Sequence, residues 1–479
     1  MSDGWVMVIG LEVHCELSTA TKLFCGCPNE FGDEPNTNVC PVCLGLPGSL
    51  PVLNQMAVEL AMAIGTALHC EIRPSTFHRK NYFYPDQAKD YQITQYDEPI
   101  NVNGWLELPD GFRVGIERAH MEEDTGKTTH IGATGRIHGA DYSLVDYNRS
   151  GVPLVEIVSA PDLRTSAQAR AYVTELRSIL VATGASDGKM EEGSMRVDAN
   201  VSVRRSVDEP FGTRCEIKNL NSVRSVGRAI DYEAERQIDL LEAGEPVIQQ
   251  TRHWDEDAGK TQALRSKEDA YDYRYFLEPD LVPLVPDAAW TGAVADALGM
   301  MPAERRARLT DLLREAGQLT DARLEQVTTV VDLGLDDLVV DAIAAGVPAA
   351  LTLARTANEA AADPEAARTL DPAAYVTLLT MEAATTLSAT QSKVVLAELL
   401  AAGGGDPVVI ARMKGFEAMS DNSLSVTVAE AVDANPEEWA RYCAGEEKLA
   451  QLFIGQVMKA TRGQANGKAV VAELQRLRG

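Results

Sequence analysis

The sequence predicts an α+β protein whose mixed N-terminal region is followed by all-helical C-terminal modules. Three observations support this prediction. At 479 residues the chain is too long for one ordinary core and indicates several domains. Before about residue 290, short β-like runs alternate with glycine, proline and most of the aromatic residues. Beyond that point alanine, leucine, aspartate and glutamate recur with helical spacing.

The strand predictions rest on alternating apolar and polar residues. Trp5–Leu17 (WVMVIGLEVHCEL) is apolar at nearly every other position and is predicted to form one long strand. Glu12, His14 and Glu16 then share a face, because successive side chains of a strand point to opposite sides of the sheet. Further strands are predicted at Arg113–Met121, Tyr142–Tyr147 and Pro153–Val158.

Two amphipathic helices are predicted between these strands and residue 290. Thr165 or Ser166 can cap the first, which ends at Gly184, and Ser222 can cap the second, which ends at Gly244. Each has one apolar stripe that needs a sheet or another helix to cover it.

The C-terminal region is predicted to be helical throughout. Its clearest break is Gly403-Gly404-Gly405, which is the best linker candidate in the chain. Helical character is found at Ala303–Ala316, Asp321–Val330, Leu335–Ala345, Pro372–Leu387, Thr390–Ala402, Glu446–Met458 and Lys468–Leu477.

Four cysteines form two close pairs in the pattern C-x-C, twelve residues, C-x-x-C. They are Cys25, Cys27, Cys40 and Cys43. Four thiolates on two such pairs can surround one ion at about 2.3 Å, which is the tetrahedral geometry of structural zinc. Redox-active pairs and four unligated thiols are the alternatives, but the other cysteines are scattered singly and nothing else indicates an oxidising compartment.

Charge and hydropathy limit the possible binding partners and the cellular location. The net charge of −27 disfavours general nucleic-acid binding. The acidic residues are unevenly distributed along the chain, however, since residues 448–479 contain six basic residues and one acidic residue. Because no run of eighteen apolar residues occurs and the N-terminus lacks signal or transit character, a cytoplasmic protein is expected.

Carboxylates and histidines recur at the predicted strand ends. Glu12 and His14 lie on one strand face, Glu122 and Glu123 follow another strand, and Glu156 interrupts an apolar strand. A buried carboxylate needs a cation or strong hydrogen-bond donors. Together these residues can bind one hard divalent ion, with a ligand set that suits magnesium or manganese. Alternatively, Glu156 points outward from an edge strand and His14 is a hydrogen-bonded core residue.

Residues 78–98 interleave basic and aromatic side chains, and residues 271–276 (YDYRYF) repeat that composition. Such a segment can line a polar cleft or stack on a nucleotide base. A rigid aromatic loop is the alternative interpretation.

Several motifs in this order resemble one family, the GatB family, whose members are the B-type subunits of glutamine-dependent aspartyl/glutamyl-tRNA amidotransferases. The resemblance is dense from residue 8 to 285, thin from 290 to 410 and clear again near the C-terminus. The motifs are Gly10–His14 (GLEVH), Arg79–Asp86 (RKNYFYPD), His120–Lys127 (HMEEDTGK), Lys189–Asn200 (KMEEGSMRVDAN), Glu216–Asn221 (EIKNLN), Asp272–Asp280 (DYRYFLEPD) and Gly455–Asn466 (GQVMKATRGQAN).

The resemblance implies a carbon–nitrogen ligase that uses glutamine as its nitrogen donor. A protein of this family activates the side-chain carboxylate of Glu-tRNA(Gln) or Asp-tRNA(Asn) with ATP, and ammonia from the partner glutaminase, the A-type subunit, then forms the amide. The implied assembly is a heterotrimer that also contains a C-type subunit. The implied cofactors are Mg²⁺, ATP as a substrate and structural Zn²⁺, although family members without the knuckle cysteines show that the chemistry does not require zinc.

The resemblance also assigns roles to residues. It implies a catalytic Mg²⁺ site at Glu12, His14, Glu122 or Glu123, and Glu156. A polar route for ammonia is implied at Lys80 and Lys89, with the glutamate pair near its exit. In the basic tail it implies tRNA contacts at Lys459 and Arg462.

The implied domains are a largely antiparallel, mixed α/β cradle at residues 1–292, a helical linker domain at 293–405 and a tRNA-binding tail domain at 406–479. Two other functions remain open from the sequence. One is a non-catalytic scaffold that presents tRNA within the same complex, and the other is a metal-dependent hydrolase. The sequence contains neither a GxxxxGK[ST] phosphate loop nor a serine- or cysteine-hydrolase motif. Glutamine hydrolysis is therefore expected in another chain, and ATP binding lacks a standard signature.

Overall fold

A computed structural model describes residues 4–81, 83–132, 139–263, 273–416, 421–461, 465 and 467–478. The chain forms two compact units that divide after Ala303. The first unit is α+β and largely antiparallel and the second is helical, which confirms the predicted fold class.

The first unit is built on one large sheet. In the described residues its strand order is β13-β12-β11-β10-β1-β9-β6-β4-β3-β14, while β5 pairs with β6 and β2 with β5. All pairs are antiparallel except β11 with β12, and β7 and β8 form a separate hairpin. The strands are β1 Val6–Glu16, β2 Glu71–Ile72, β3 His78–Asn81, β4 Tyr91–Thr94, β5 Asn101–Glu107, β6 Arg113–Glu123, β7 Lys127–Gly132, β8 Ala140–Asp146, β9 Pro153–Ser159, β10 Met195–Arg204, β11 Cys215–Leu220, β12 Thr251–Asp255, β13 Lys260–Ala263 and β14 Phe276–Leu277.

The sheet has one apolar and one polar face, because side chains alternate along each strand. Leu11, Val13 and Cys15 of β1 join the core, as do Val155 of β9 and Ala199 of β10. The intervening residues of the same strands carry carboxylates, histidines and basic side chains. Alternation on the central strand β1 therefore creates both the core and the polar face.

Helices cover the apolar face. Val58 of α1 (Gln55–Ala67), Leu176 of α2 (Ser166–Ala182) and Ile230 of α3 (Val223–Glu242) belong to the same core as the strands. Thr165 and Ser222 accept hydrogen bonds from backbone amides as N-caps, which confirms both predicted helix starts. Helix α4 (Ala288–Ala297) completes the unit, and its Trp290 donates a 3.1 Å hydrogen bond to Glu59.

The second unit is all-helical in its described residues and contains two hydrophobic clusters. One spans Leu309–Ala411 and the other Val428–Leu474. The helices are α5 Pro302–Glu315, α6 Asp321–Asp332, α7 Asp336–Ala344, α8 Ala349–Asn358, α9 Pro364–Arg368, α10 Pro372–Ala383, α11 Ala389–Ala402, α12 Pro407–Met413, α13 Asp421–Asp433, α14 Pro436–Cys443, α15 Ala450–Ala460 and α16 Gly467–Arg478.

The glycine triplet lies between α11 and α12. Gly403 is the left-handed C-cap of α11, and Ala411 of α12 packs in the Leu309–Ala411 cluster. No single helix among the described residues is long and apolar enough to cross a membrane, although α11 and α12 together reach that length and composition with a 113° bend between them. The three-part domain division stays a prediction.

Candidate active site

The polar face of the sheet brings the predicted catalytic residues together. His14 of β1 pairs in register with Glu156 of β9, which pairs in register with His120 of β6. Glu122 lies two residues beyond His120 and on the same face. The sheet register therefore joins segments that lie far apart along the chain.

His14, Glu122 and Glu156 form a compact cluster whose ligand atoms all lie within 4.8 Å of one another. The Nε2 atom of His14 lies 3.5 Å from Glu122 Oε1 and 3.6 Å from Glu156 Oε2. On the other side of Glu156, His120 Nε2 lies 3.4 Å from Oε2. Glu156 thus lies between two imidazoles, and it is not the outward-pointing residue of an edge strand.

Burial and charge shift the pKa values in this cluster in opposite directions. Burial alone lowers the pKa of His14, but Glu156 and Glu122 outweigh it and raise that pKa to about 9. Burial and the Glu156 charge raise the pKa of Glu122, while burial lowers the pKa of His120 to about 4. Burial raises the pKa of Glu156, but His120 and His14 outweigh it and hold that pKa well below its usual range. The carboxylates and imidazoles of this cluster therefore strongly influence one another's charge.

Glu12 lies beside this cluster and outside its tight group. It pairs in register with Val158 and Asp198, and its Oε1 accepts a 2.9 Å hydrogen bond from Asn200. Burial and the nearby charges of Glu156 and Glu216 raise the pKa of Glu12. Three carboxylates with one imidazole form an oxygen-rich donor set, which fits a hard divalent ion such as Mg²⁺.

The sequence did not show which of the adjacent residues Glu122 and Glu123 joins the cluster. In the structure their side chains point in opposite directions. Glu122 faces His14. Glu123 instead binds Lys89 through contacts of 2.5 and 2.6 Å and accepts a hydrogen bond from the backbone amide of Ile93. Both members of the Lys89–Glu123 pair are almost fully buried. The geometry favours Glu122 as the cluster ligand and gives Glu123 a separate partner.

The two lysines of the predicted ammonia route also separate. Lys80 lies on β3 with its Nζ 4.8 Å from the ring centroid of Tyr273, and its charge acts on Glu122 and His120. Lys89 forms an ion pair with Glu123. Their role in conducting ammonia stays a prediction.

The residues predicted to contact tRNA lie in the C-terminal helical region. Lys459 is exposed in the last turn of α15, and Arg462 lies outside the described residues. Their role in tRNA binding stays a prediction.

The four knuckle cysteines converge as their spacing predicted. All are free thiols whose sulfur atoms lie within 4.8 Å of one another. The Cys40 and Cys43 sulfurs are 3.8 Å apart, which matches the edge of a sulfur tetrahedron with bonds of about 2.3 Å to the ion. A hydrogen bond from Cys25 outweighs burial and lowers the pKa of Cys43 to about 5, while that hydrogen bond and burial raise the pKa of Cys25, and burial raises the pKa of Cys27 to about 11. The cluster is compatible with structural Zn²⁺.

Sequence reasoning missed several polar partners on this face. His120 entered the sequence analysis only as part of the HMEEDTGK motif, and the ion pairs Arg196–Asp124 (3.0 Å) and Lys218–Asp198 (3.2 Å) were not predicted. Alternation in β10 (MRVDANVSVR) carried the missing signal, because Arg196, Asp198 and Asn200 fall on one face of that strand.

Two cavities adjoin the polar face. The smaller, of about 210 Å³, includes Glu12 in its wall. The larger, of about 740 Å³, includes Glu16 and residues of the loops after β8 and before β10. Glu12 and Glu16 are the two neighbours of His14 on the polar face of β1, and each lines one of these cavities.

This fold and site define a class of protein: an α+β catalytic domain whose candidate active site lies on the polar face of an antiparallel sheet, with helical modules after it. Two family models match the chain. The GatB/GatE catalytic domain matches residues 7–292, and the GatB domain matches residues 347–477. The chain belongs to the GatB family, the B-type subunits of aspartyl/glutamyl-tRNA(Asn/Gln) amidotransferases.

Full-length relatives support this assignment. Proteins named as that B-type subunit in Frankia casuarinae and Nocardia farcinica are 49% and 48% identical, each over 97% of this chain and 94% of the relative. The protein from Nocardioides sp. is 48% identical over 96% of this chain and 95% of its own length. Neither the scaffold nor the hydrolase alternative gains support from these comparisons.

Proposed function

We propose that this chain is the carboxylate-activating subunit of a tRNA-dependent amidotransferase that converts Glu-tRNA(Gln) to Gln-tRNA(Gln), Asp-tRNA(Asn) to Asn-tRNA(Asn), or both. The observation that carries the proposal is the His14–Glu122–Glu156 cluster on the polar face of a domain that matches the family's catalytic domain. The relatives' name supports the substrate class. A cytoplasmic location is part of the same proposal.

The proposed reaction has two steps. A side-chain carboxylate oxygen of the amino acid on the mischarged tRNA attacks the γ-phosphorus of ATP, and the bond from that phosphorus to the β-phosphate oxygen breaks. ADP departs, and the side chain becomes an acyl phosphate. Ammonia then attacks the carbonyl carbon of that acyl phosphate. The carbon–oxygen bond to phosphate breaks, inorganic phosphate departs, and the new nitrogen loses a proton to give the amide.

The residues of the cluster would position the reacting groups. Phosphoryl transfer gains mainly from positioning and from stabilising negative charge, with little covalent work for the protein. Mg²⁺, held by His14, Glu122, Glu156 and Glu12, would offset the charge of the phosphates. His120 would fix the orientation of Glu156, because its Nε2 lies 3.4 Å from the carboxylate.

The partners follow from the same proposal. Ammonia would come from the A-type glutaminase, and a C-type partner would complete a heterotrimer. Lys80 would act on the last part of the ammonia route, and the effect of its charge on Glu122 supports this role. The structural Zn²⁺ of the four cysteines would have no part in the chemistry.

Reconstitution tests the function. The chain is combined with its candidate A-type and C-type partners, mischarged tRNA, ATP and glutamine, and amide formation is followed. We expect ATP-dependent amidation that falls at least a hundredfold in His14→Ala, because the cluster loses its only imidazole ligand. His69→Ala, at an exposed histidine stacked on Trp105, is the matched control and should retain activity. If His14→Ala keeps full ATP cleavage and amidation, the chemistry belongs to the partners and the chain is a scaffold.

A further inference from the structure

The four-cysteine knuckle borders the buried Lys89–Glu123 ion pair on one side through Phe24. The side chains of the pair are only 5% and 2% exposed. The Nζ atom of Lys89 lies 5.9 Å from the ring centroid of Phe24, which is within the range of a cation–π contact. Phe24 directly precedes the first knuckle residue, Cys25, and is itself buried in the hydrophobic core. This wall of the ion pair is therefore fixed by the core.

The opposite wall comes from the segment that follows the second cysteine pair. Gly45, two residues after Cys43, has φ of +65°, and a Cβ at this position would clash with the side chain of Lys89. A Cβ at Gly151 would have as neighbours both Cys43 Cβ, at 3.6 Å, and Glu123 Oε2, at 3.9 Å. Segments of the knuckle therefore border both members of the ion pair.

This second wall has little support of its own. Among residues 26–48, all of which the structure describes, Val42 alone packs against the hydrophobic core, and it is only partly buried. Lys22 gives one link across the knuckle, since it donates a 2.7 Å hydrogen bond to the carbonyl of Asn38. The four sulfur atoms lie within 4.8 Å of one another, so one ion can join the exposed segment to the fixed one. The bound metal is thus the strongest tie between the two walls.

The ion pair in turn supports Glu122, the neighbour of Glu123 on β6. Glu123 Oε1 accepts a 2.9 Å hydrogen bond from the backbone amide of Ile93, and Gln92 donates a 2.8 Å hydrogen bond to the Glu123 carbonyl. These bonds hold β4 against β6 next to Thr94–Glu122, which is the register pair between the two strands in the described residues. A displacement of Glu123 is therefore transmitted to Glu122.

We propose that the four-cysteine knuckle is a metal-dependent positioning device for the His14–Glu122–Glu156 cluster. Its bound metal keeps the Lys89–Glu123 pair in place, and that pair keeps Glu122 directed at His14. The inference rests on the proposed function, which makes this cluster the Mg²⁺ site. It adds that the metal content of the knuckle controls how well the cluster binds Mg²⁺, although the knuckle metal takes no part in the reaction.

Hydrogen exchange of the full chain tests the link between the knuckle and the ion pair. The Ile93 amide is the reporter, because it donates to Glu123. We expect its exchange to become about tenfold faster or more when a chelator removes Zn²⁺, and to slow again when Zn²⁺ is restored. Exchange in the middle of α3, far along the chain, serves as the internal reference and should change less.

Gly45→Ala disturbs Lys89 without removing a cysteine. We expect it to speed exchange at Ile93 while the bound zinc stays unchanged. Gly48→Ala is the matched control, since Gly48 has a similar φ of +86° but no atom lies within 4 Å of an added Cβ. Both variants place a side chain in the left-handed region, so only the contact with Lys89 differs.

The reconstituted complex tests the link to the cluster. We expect the Mg²⁺ concentration for half-maximal amidation to rise about tenfold in Gly45→Ala and in the zinc-stripped complex, because supporting residues tune metal affinity. Gly48→Ala should keep the wild-type Mg²⁺ requirement. A merely structural role of the knuckle would lower the amount of active complex and leave the Mg²⁺ requirement unchanged.

Two outcomes would overturn the proposal. One is exchange at Ile93 that does not respond to removal of zinc. The other is a Gly45→Ala variant that matches Gly48→Ala in both its exchange and its Mg²⁺ requirement. If the wild-type complex shows no amidation, the proposed function fails. The exchange measurement on the full chain then still decides whether the knuckle positions the ion pair.

Discussion

Two neighbouring glutamates show how a single position decides a side chain's role. Glu122 and Glu123 have the same chemistry, yet one faces a histidine and the other a lysine. Strand alternation sends them to opposite sides of β6. The pKa of Glu122 is raised by burial and by Glu156, so its charge is poorly compensated without a cation. The charge of Glu123 is compensated by Lys89.

We therefore expect opposite outcomes from a matched pair of substitutions. Glu122→Gln should abolish most ATP-dependent amidation and leave thermal stability unchanged or higher, because it removes a repelling buried charge. Glu123→Gln should lower the free energy of unfolding by about 3–5 kcal/mol, because it leaves Lys89 buried without its partner. Denaturant unfolding and the amidation assay measure the two effects. Equal activity loss without destabilisation in Glu123→Gln would contradict this division of roles.

A second residue-scale prediction concerns pH and the buried Glu233 of α3. Glu233 is fully buried and accepts hydrogen bonds from Arg236, Gln237 and Thr261. Burial raises its pKa, but these donors outweigh burial and lower the pKa below the ordinary value of 4.5. Its folded-state pKa lies below its unfolded-state value. Its contribution to stability is thus fully present above about pH 4.5 and is lost as the pH falls through the folded pKa.

The measurement is denaturant unfolding of wild type and Glu233→Gln between pH 3 and pH 7. We expect the stability difference to be largest above pH 4.5 and to shrink as the pH falls. A difference that does not vary with pH would mean that the carboxylate charge is unimportant there.

At the scale of elements, the four-cysteine knuckle (Cys25, Cys27, Cys40 and Cys43) lies next to the buried Lys89–Glu123 ion pair. Gly45, two residues after Cys43, has φ of +65°, and a Cβ there would clash with the side chain of Lys89. Ser150 donates a 3.4 Å hydrogen bond to the carbonyl of Cys43. The segment that follows the knuckle cysteines therefore packs directly on Lys89, the partner of Glu123.

Removing the metal should consequently loosen the N-terminal unit. We expect chelation, or Cys40→Ser, to lower the unfolding temperature by several degrees and to reduce bound zinc, because structural metal binding contributes directly to folding. Cys443→Ser, at an exposed single cysteine of α14, is the control and should change neither. Unchanged stability with loss of the metal would show that the knuckle does not support the fold.

At the scale of the whole molecule, an acidic chain has a basic end. The net charge is −27, whereas the stretch from Lys448 onward has an excess of basic residues. Helices α13–α16 have their own hydrophobic cluster. Helix α12 packs with the preceding cluster instead, so a clean deletion leaves α12 in place and begins at Asp421.

Deletion of residues 421–479 should raise the KM for mischarged tRNA and leave the KM for ATP unchanged. Lys459→Ala, at an exposed position, should weaken tRNA binding more modestly and reduce its salt dependence by about one phosphate contact. Binding measured across a salt series checks both. Unchanged tRNA affinity at fixed salt after the deletion would exclude the tail as a binding element.

Local pattern was sufficient for much of the fold. The long first strand, the two capped helices and the helical C-terminal region all follow from periodicity and capping chemistry, which act over a few residues. The short strands β2–β4 were missed because they contain too few residues to establish a period. Helix α1 was missed because Asn54 caps an almost uniformly apolar segment without an amphipathic stripe.

The sequence by itself determined the α+β class, the convergence of the four cysteines and the residue types of the active site, because each depends on composition and short-range spacing. Only the tertiary structure decided which glutamate faces His14, that Lys89 pairs with Glu123, and that a cavity of about 210 Å³ opens beside Glu12. The physical reason is the sheet register. It joins strands that are distant along the chain, and a shift of one residue would send every side chain to the other face.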